Sequence, residues 1–248
     1  MSENISRTGQ LTGKRVLITG GAKKIGRGLA LEFARAGASV AITYRNSTDE
    51  AERTLREIAA IGVDGLALRM DVRMAESVMA GVGEAIEELS GLDILVNNAG
   101  HFETAVLEAI TVAQWDAMQE TNTRGPLLVA QAAHAALRGA RGRIINIGSL
   151  GGLHPWTTHG HYCASKAALH MLSQTMAKAW APEISVNCVA PGMVVEGEVD
   201  PGYETFAAKT PMQRNGTVGD VAAGVMFFAT APHFITGQIL AVDGGLGL

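Results

Sequence analysis

The feature that most constrains this chain is its rhythm. From residue 15 to residue 242, short runs rich in β-branched residues alternate with longer amphipathic stretches. β-Branched side chains suit a pleated surface, and a helix with one apolar stripe needs a surface to cover. The alternation predicts strand–helix–strand units and a parallel sheet clothed on both faces. Seven runs qualify as strands: 15–19, 39–44, 65–70, 93–97, 143–147, 184–188 and 238–242. Helices are expected over 25–36, 49–61, 114–137, 162–180 and 219–229. Right-handed crossovers then give an α/β fold, a doubly wound seven-stranded parallel sheet. No repeat or linker interrupts the pattern, so 11–248 reads as a single domain behind a flexible tail of 1–10. The long irregular stretch 191–216 follows the carboxyl end of a strand, where such sheets place ligands. It reads as an active-site lid, the alternative being a surface excursion with its own short helix.

Composition narrows the function classes. A net charge of -4 offers no basic face for nucleic acid. Two cysteines, Cys163 and Cys188, form no disulfide framework and fit a reducing cytoplasm. Residues 1–10 lack the apolar core of a signal peptide, and the apolar run 221–231 is too short to span a bilayer. The expectation is a soluble, cytoplasmic protein with no membrane partner.

The first strand runs into a glycine turn containing Gly20, Gly26 and Gly28. Glycines let the main chain approach a pyrophosphate closely, and the following helix points its free N–H groups at that anion. Gly20, Ile25 and Gly26 are therefore read as cofactor contacts. The residues after the second strand select the dinucleotide. An acid there would bind the ribose hydroxyls of NAD. Here the segment is Tyr44, Arg45, Asn46 and Ser47. Arg45, helped by Lys23 and Lys24 of the glycine turn, suits a ribose phosphate instead, since guanidinium holds phosphate bidentately. The expected cofactor is NADP(H).

These pieces resemble the short-chain dehydrogenase/reductase family over most of the chain. The resemblance rests on Thr19 and Gly20 with Gly26, on Asp71 and Val72, and on Asn97, Asn98, Ala99 and Gly100. It continues through Asn122, Ser149, Tyr162 with Lys166, Pro191 with Gly192, and residues 235–237 with 243–245. One departure stands out: Lys24 occupies the middle glycine position of the family's glycine pattern. The resemblance implies a Rossmann-type fold. It places Asp71 and Val72 at the adenine end, and Asn98, Ala99 and Gly100 along the cofactor. It puts Pro191, Gly192 and Val194 near the nicotinamide. It implies a homotetramer or homodimer, with interfaces on the helix from Tyr162 and on the last strand.

Tyr162 and Lys166 lie four apart on an expected helix and share a face. Free tyrosine titrates near about 10, and a neighbouring ammonium favours the phenolate. The pair suits proton exchange with an alcohol or carbonyl, and both residues also face the expected cofactor. Ser149 ends the fifth strand, and its hydroxyl suits an oxygen gaining charge. The resemblance gives Asn122 a water-holding role in a proton relay from Lys166. His154, His159 and His161 lack a carboxylate or cysteine to complete a metal site, so no metal is expected. They are read as substrate-loop or interface residues, and Trp115 and Trp180 as helix packing. Phe102, Trp156 and Met193 each follow a segment ending at the active face and suit an apolar or aromatic substrate pocket, the alternative being packing beneath loops.

The leading expectation is an enzyme moving hydride between a nicotinamide and a small-molecule carbonyl or alcohol, similar to β-ketoacyl-carrier-protein reductases. A pteridine reductase is the alternative: Phe102 falls where that group stacks its pterin. That group often has aspartate at the place of Ser149, and only Glu196 or Glu198 in the irregular stretch offers a substitute carboxylate. A non-catalytic dinucleotide sensor would keep the glycine turn without needing Asn122, Ser149, Tyr162 and Lys166 together.

Overall fold

A computed structural model describes residues 9–197 and 201–248, with the side chains of residues 201–203 left aside. The expected tail therefore lies largely outside the described residues. The seven strands are β1 (Arg15–Ile18), β2 (Ser39–Tyr44), β3 (Gly65–Arg69), β4 (Ile94–Asn97), β5 (Arg143–Ile147), β6 (Ser185–Pro191) and β7 (Ile239–Val242). All pair in parallel, in the order β3-β2-β1-β4-β5-β6-β7. The single domain is the doubly wound seven-stranded sheet that the alternation implies.

The helices are α1 (Lys24–Arg35), α2 (Thr48–Ile61), α3 (Ala75–Glu88), α4 (Val112–Gln119), α5 (Gly125–Ala140), α6 (Gly160–Trp180), α7 (Pro201–Lys209) and α8 (Val218–Thr230). Two apolar clusters fill the two faces of the sheet. One packs α1, α2 and α8 against residues such as Ile18, Val40 and Val189. The other packs α3, α5 and α6 against Leu17, Leu95 and Val186. Strands buried on both faces explain why β1 and β4 read as near-continuous apolar runs.

Two elements depart from the sequence expectation. α3 is absent from that reading because Gly81 and Gly83 interrupt it and no side chain caps its start. Tertiary packing supplies what propensity lacks: Val78, Val82 and Ala85 are buried, and a Cβ at Gly81 would meet Met70 within 3.0–3.3 Å. The expected helix over 114–137 is divided into α4, a π-helical turn (Glu120–Arg124) and α5, which opens with Pro126 in its first turn. The stretch 191–216 carries α7, the short helix that one of its two readings offered, and Val194 bridges Gly216, tying its two ends together.

The topology fixes where a ligand can sit. Chain connection reverses direction on either side of β1, which lies between β2 and β4. The carboxyl ends of β1 and β4 splay open at that switch point.

Candidate active site

Beyond β1 the chain turns through Thr19 and Gly20 into α1. Gly20 sits at φ +63, a conformation that favours glycine. Gly26 is constrained by space: a Cβ there would lie 2.1 Å from the Gly20 carbonyl oxygen and 2.6 Å from Asn98 Nδ2. Asn98 Nδ2 donates to the carbonyls of Thr19 (2.9 Å) and Gly20 (3.0 Å). Thr19 Oγ1 accepts from the N–H groups of Asn98 and Ala99, each at 3.0 Å. Asn98 thus staples the end of β4 to the glycine turn as well as lining the cleft. Lys23 at the start of α1 supplies no capping side chain, so the first N–H groups of that helix are left for an anion.

A cleft of about 690 Å³ opens at this end of the sheet. One end of it is walled by Lys23, Lys24, Tyr44, Arg45, Asn46 and Ser47. Its floor passes Gly20, Ile25, Gly26, Asp71 and Val72, then Ala99 and Gly100. Its far end reaches Ser149, Tyr162, Lys166, Pro191, Gly192 and Val194, with Phe102, Trp156 and Met193 around them. Asp71 is gripped by Arg73, whose guanidinium holds the carboxyl below its ordinary range. No ion pair engages Lys23, Lys24 or Arg45 among the described residues, whereas Arg27, Arg73 and Arg214 are all paired. The donor set fits a dinucleotide bearing an extra phosphate at its adenosine end.

At the far end, Ser149 ends the loop after β5, and its Oγ accepts from Gly151 N–H at 3.0 Å. Lys166 is fully enclosed and donates to the Ile147 carbonyl at 2.8 Å. Burial lowers its pKa to about 8. Its Nζ stands 5.9 Å from the Tyr162 ring centroid. The sequence argument has this ammonium drawing the phenol pKa down. In the protein alone burial wins and raises it, against an opposing hydrogen bond with Ser149. A protonated phenol is the form that donates a proton to a carbonyl oxygen.

Asn122 is fully buried in the π-turn, just behind the cleft. Its Oδ1 accepts from His101 N–H at 2.7 Å, and its Nδ2 donates to the His101 carbonyl (2.9 Å) and Ser165 Oγ (3.0 Å). The side chain expected to hold water is engaged with protein atoms and joins the loop after β4 to α6. π-Turns of this kind cluster at functional sites.

Glu196 is exposed and does not line the cleft; Glu198 falls outside the described residues. Trp180 packs against the core and His134, but Trp115, expected to pack, is 42% exposed. Among the described residues no cluster of three or more His, Cys, Asp or Glu side chains could hold a metal.

Sequence reasoning missed His170. It lies one turn beyond Lys166 on the same face of α6, and its Nε2 accepts from Ser149 N–H at 3.4 Å. A Cβ on Gly148 would lie 2.2 Å from that nitrogen, and one on Gly152 2.6 Å from Cε1. His170 is therefore wedged beneath the Ser149 loop as a positioning residue. The four-residue spacing from Lys166 is the signal that could have found it.

A glycine turn, a strand-end serine and a tyrosine–lysine pair around one dinucleotide-shaped cleft define a nucleotide-dependent oxidoreductase. The family model described as "Enoyl-(Acyl carrier protein) reductase" matches residues 20–247. A 3-oxoacyl-(acyl-carrier-protein) reductase of Staphylococcus aureus is 35% identical over 94% of this chain and 98% of its own. A short chain dehydrogenase from Burkholderia cenocepacia, solved in complex with NADP, superposes with a TM-score of 0.91 at 36% identity, covering 96% of this chain and 100% of its own. An NADH-dependent reductase responsible for alginate metabolism superposes at 0.88 with 33% identity, covering 96% and 98%. The chain belongs to the short-chain dehydrogenase/reductase family.

Proposed function

We propose that this chain is an NADP(H)-dependent reductase of a neutral ketone, in the manner of the β-ketoacyl-carrier-protein reductases, working as a homotetramer in the cytoplasm. The observation that carries the reading is the convergence of Ser149, Tyr162 and Lys166 on the cleft whose other end is lined by Lys23, Lys24 and Arg45, none of which forms an ion pair among the described residues. The relatives alone do not choose the cofactor, since one structure is titled with NADP and another as NADH-dependent. Lys23, Lys24 and Arg45 support NADP(H), because none of them forms an ion pair among the described residues and such cations are available to a ribose phosphate.

When bound, the reduced nicotinamide supplies the hydride. Gly20, Gly26 and the start of α1 hold the pyrophosphate, and Pro191, Gly192 and Val194 orient the far ring. The Ser149 hydroxyl donates to the substrate oxygen as it gains charge. Tyr162 delivers the proton to that oxygen. Lys166 holds the charge that follows on the phenolate, and Asn122 fixes the loop and helix between which the pair works.

A ketone is preferred to a pterin because of Ser149. A ring nitrogen is best served by a carboxyl group beside Tyr162. Among the described residues the only carboxylate lining the cleft is Asp71, at the adenine end and paired with Arg73. The test compares kcat/KM for dihydrobiopterin, acetoacetyl thioesters and simple ketones with NADPH. Ketone or thioester turnover should lead by at least tenfold. A pterin preference abolished by Phe102→Ala would reverse the assignment.

A further inference from the structure

The far end of the cleft carries an arrangement of rings that ketone reduction itself does not require. Phe102 follows β4; Trp156 and His159 follow β5; Tyr162 begins α6. The Phe102 ring stacks on His159 at 4.8 Å and 22°, and meets Tyr162 edge-on at 4.9 Å and 87°. Trp156 meets His159 edge-on at 5.7 Å and lies nearly parallel to Tyr162, at 16° and 6.2 Å. Phe102 keeps 57% of its surface exposed, so the ring that stacks on His159 also presents area to the cleft.

His159 is the clasp of this group. Its Nδ1 lies 3.0 Å from Thr158 Oγ1 and its Nε2 3.1 Å from Thr104 Oγ1. Beside it, Ala105 N–H donates to the Thr158 carbonyl at 3.0 Å, and Ala105 bridges His159. Two loops from different strands are thereby joined across the entrance. Trp156 is seated in turn over Gly151, where a Cβ would come within 3.3 Å of the indole. Phe102 and Trp156 each contact both His159 and Tyr162, so the two outer rings flank the catalytic tyrosine from fixed positions. Thr104, Thr158 and Gly151 are short residues that leave those rings their places.

We propose that the substrate of this site carries an aromatic ring close to its carbonyl, which inserts between Phe102 and Trp156 while His159 sets the separation of those two walls. The inference rests on the ketone-reductase reading above and sharpens it. Aryl and cyclohexyl groups separate ring recognition from simple burial. A cyclohexyl group is the larger hydrocarbon, so area alone favours it or leaves the two equal. The edge and face of an aromatic ring favour the aryl group only where other rings are oriented to meet them.

The experiment compares 1-phenyl-2-propanone with 1-cyclohexyl-2-propanone, whose carbonyls are both unconjugated. The wild-type enzyme with NADPH should prefer the aryl ketone by about tenfold in kcat/KM, which corresponds to about 1.4 kcal/mol. Titration calorimetry on Tyr162→Phe loaded with NADP+, which has no hydride to give, should yield the same order in Kd. Trp156→Leu and Phe102→Leu should each reduce the preference to about twofold or less. Phe102 is half-exposed on a loop, so its variant folds even if the tryptophan variant does not. His159→Ala should raise KM for the aryl ketone more than it lowers kcat, and His159→Gln, which can still bridge the threonines, should recover part of the loss. Equal use of the two ketones by the wild type, or a preference that survives both leucine variants, overturns the inference. An enzyme that reduces acetoacetyl thioesters or simple ketones without aryl preference defeats this inference alone. One that binds NADPH and reduces no ketone defeats the parent reading with it.

Discussion

At the scale of single residues, two positions in the cleft are held at some cost. Lys166 is a buried cation, and Lys24 adopts φ +52 at the first residue of α1. The left-handed region costs a residue with a Cβ about 1 kcal/mol or more, and strain kept at a ligand site points to use there. Lys24→Gly should therefore raise Tm by about 2–4 °C, the shift that about 1 kcal/mol gives in a chain of this size. The same change should cut the preference for NADPH over NADH, and Arg45→Ala should cut it further. Calorimetric titration with both cofactors, beside thermal melts, decides this; unchanged cofactor preference in both variants removes these cations from phosphate binding. Tyr162→Phe isolates the proton. It should leave NADPH affinity near wild type and lower turnover by about a hundred- to ten-thousandfold, the usual contribution of a positioned acid. Lys166→Ala should damage both quantities. Near wild-type turnover in Tyr162→Phe would mean that another group delivers the proton.

At the scale of elements, the sequence betrayed those whose own residues state their role. β1 and β4 announce themselves as unbroken apolar runs, and the glycine turn lies between a clear strand and a clear helix. Every residue expected to touch the cofactor lines one cleft, because each stands at a strand end or helix start that topology brings to the same edge. α3 and the π-turn were hidden for the opposite reason: packing on Met70 and the pairing of Asn122 with His101 are long-range facts. α6 shows both cases. Tyr162 and Lys166 were legible by spacing, while His170 gained its meaning only once the Ser149 loop lay over it. That helix also carries a pH prediction. Burial lowers the His170 pKa from 6.5 to about 4. Below about pH 6.5 the unfolded chain takes up a proton that the folded chain refuses, so stability declines as pH falls and levels off below about 4. A shift of this size is worth about 3 kcal/mol at full extent. His170→Gln keeps an acceptor for Ser149 N–H and removes the titration. Its urea midpoint should fall less than the wild type's between pH 7 and 4.5; equal losses would assign the acid sensitivity elsewhere.

At the scale of the whole molecule, the two ends of the sheet are unlike. The carboxyl ends hold the catalytic cleft. Near the amino ends lies a second cavity of about 520 Å³, where Asp93 is tied to Lys14 and Arg15. The sheet's sides differ as well. β3 at one edge closes with Arg69 and opens with Gly65, whereas β7 at the other presents apolar surface. Leu240 is 36% exposed on β7, Phe234 just before it is 99% exposed, and Leu248 ends the chain uncovered. No described helix is long and apolar enough to cross a membrane. An open strand edge with exposed apolar residues invites pairing with another copy. Met171 on α6, also exposed, marks a second face on the helix that carries Tyr162. Two such faces per chain are what the proposed homotetramer would need. Light scattering after size exclusion should give about four times the 25.9 kDa chain mass. Phe234→Asp touches almost nothing within the chain, so it should fold normally and halve that mass by opening the β7 contact. A monomeric wild type, or a Phe234→Asp tetramer as tight as the parent, would leave the β7 edge without an assembly role.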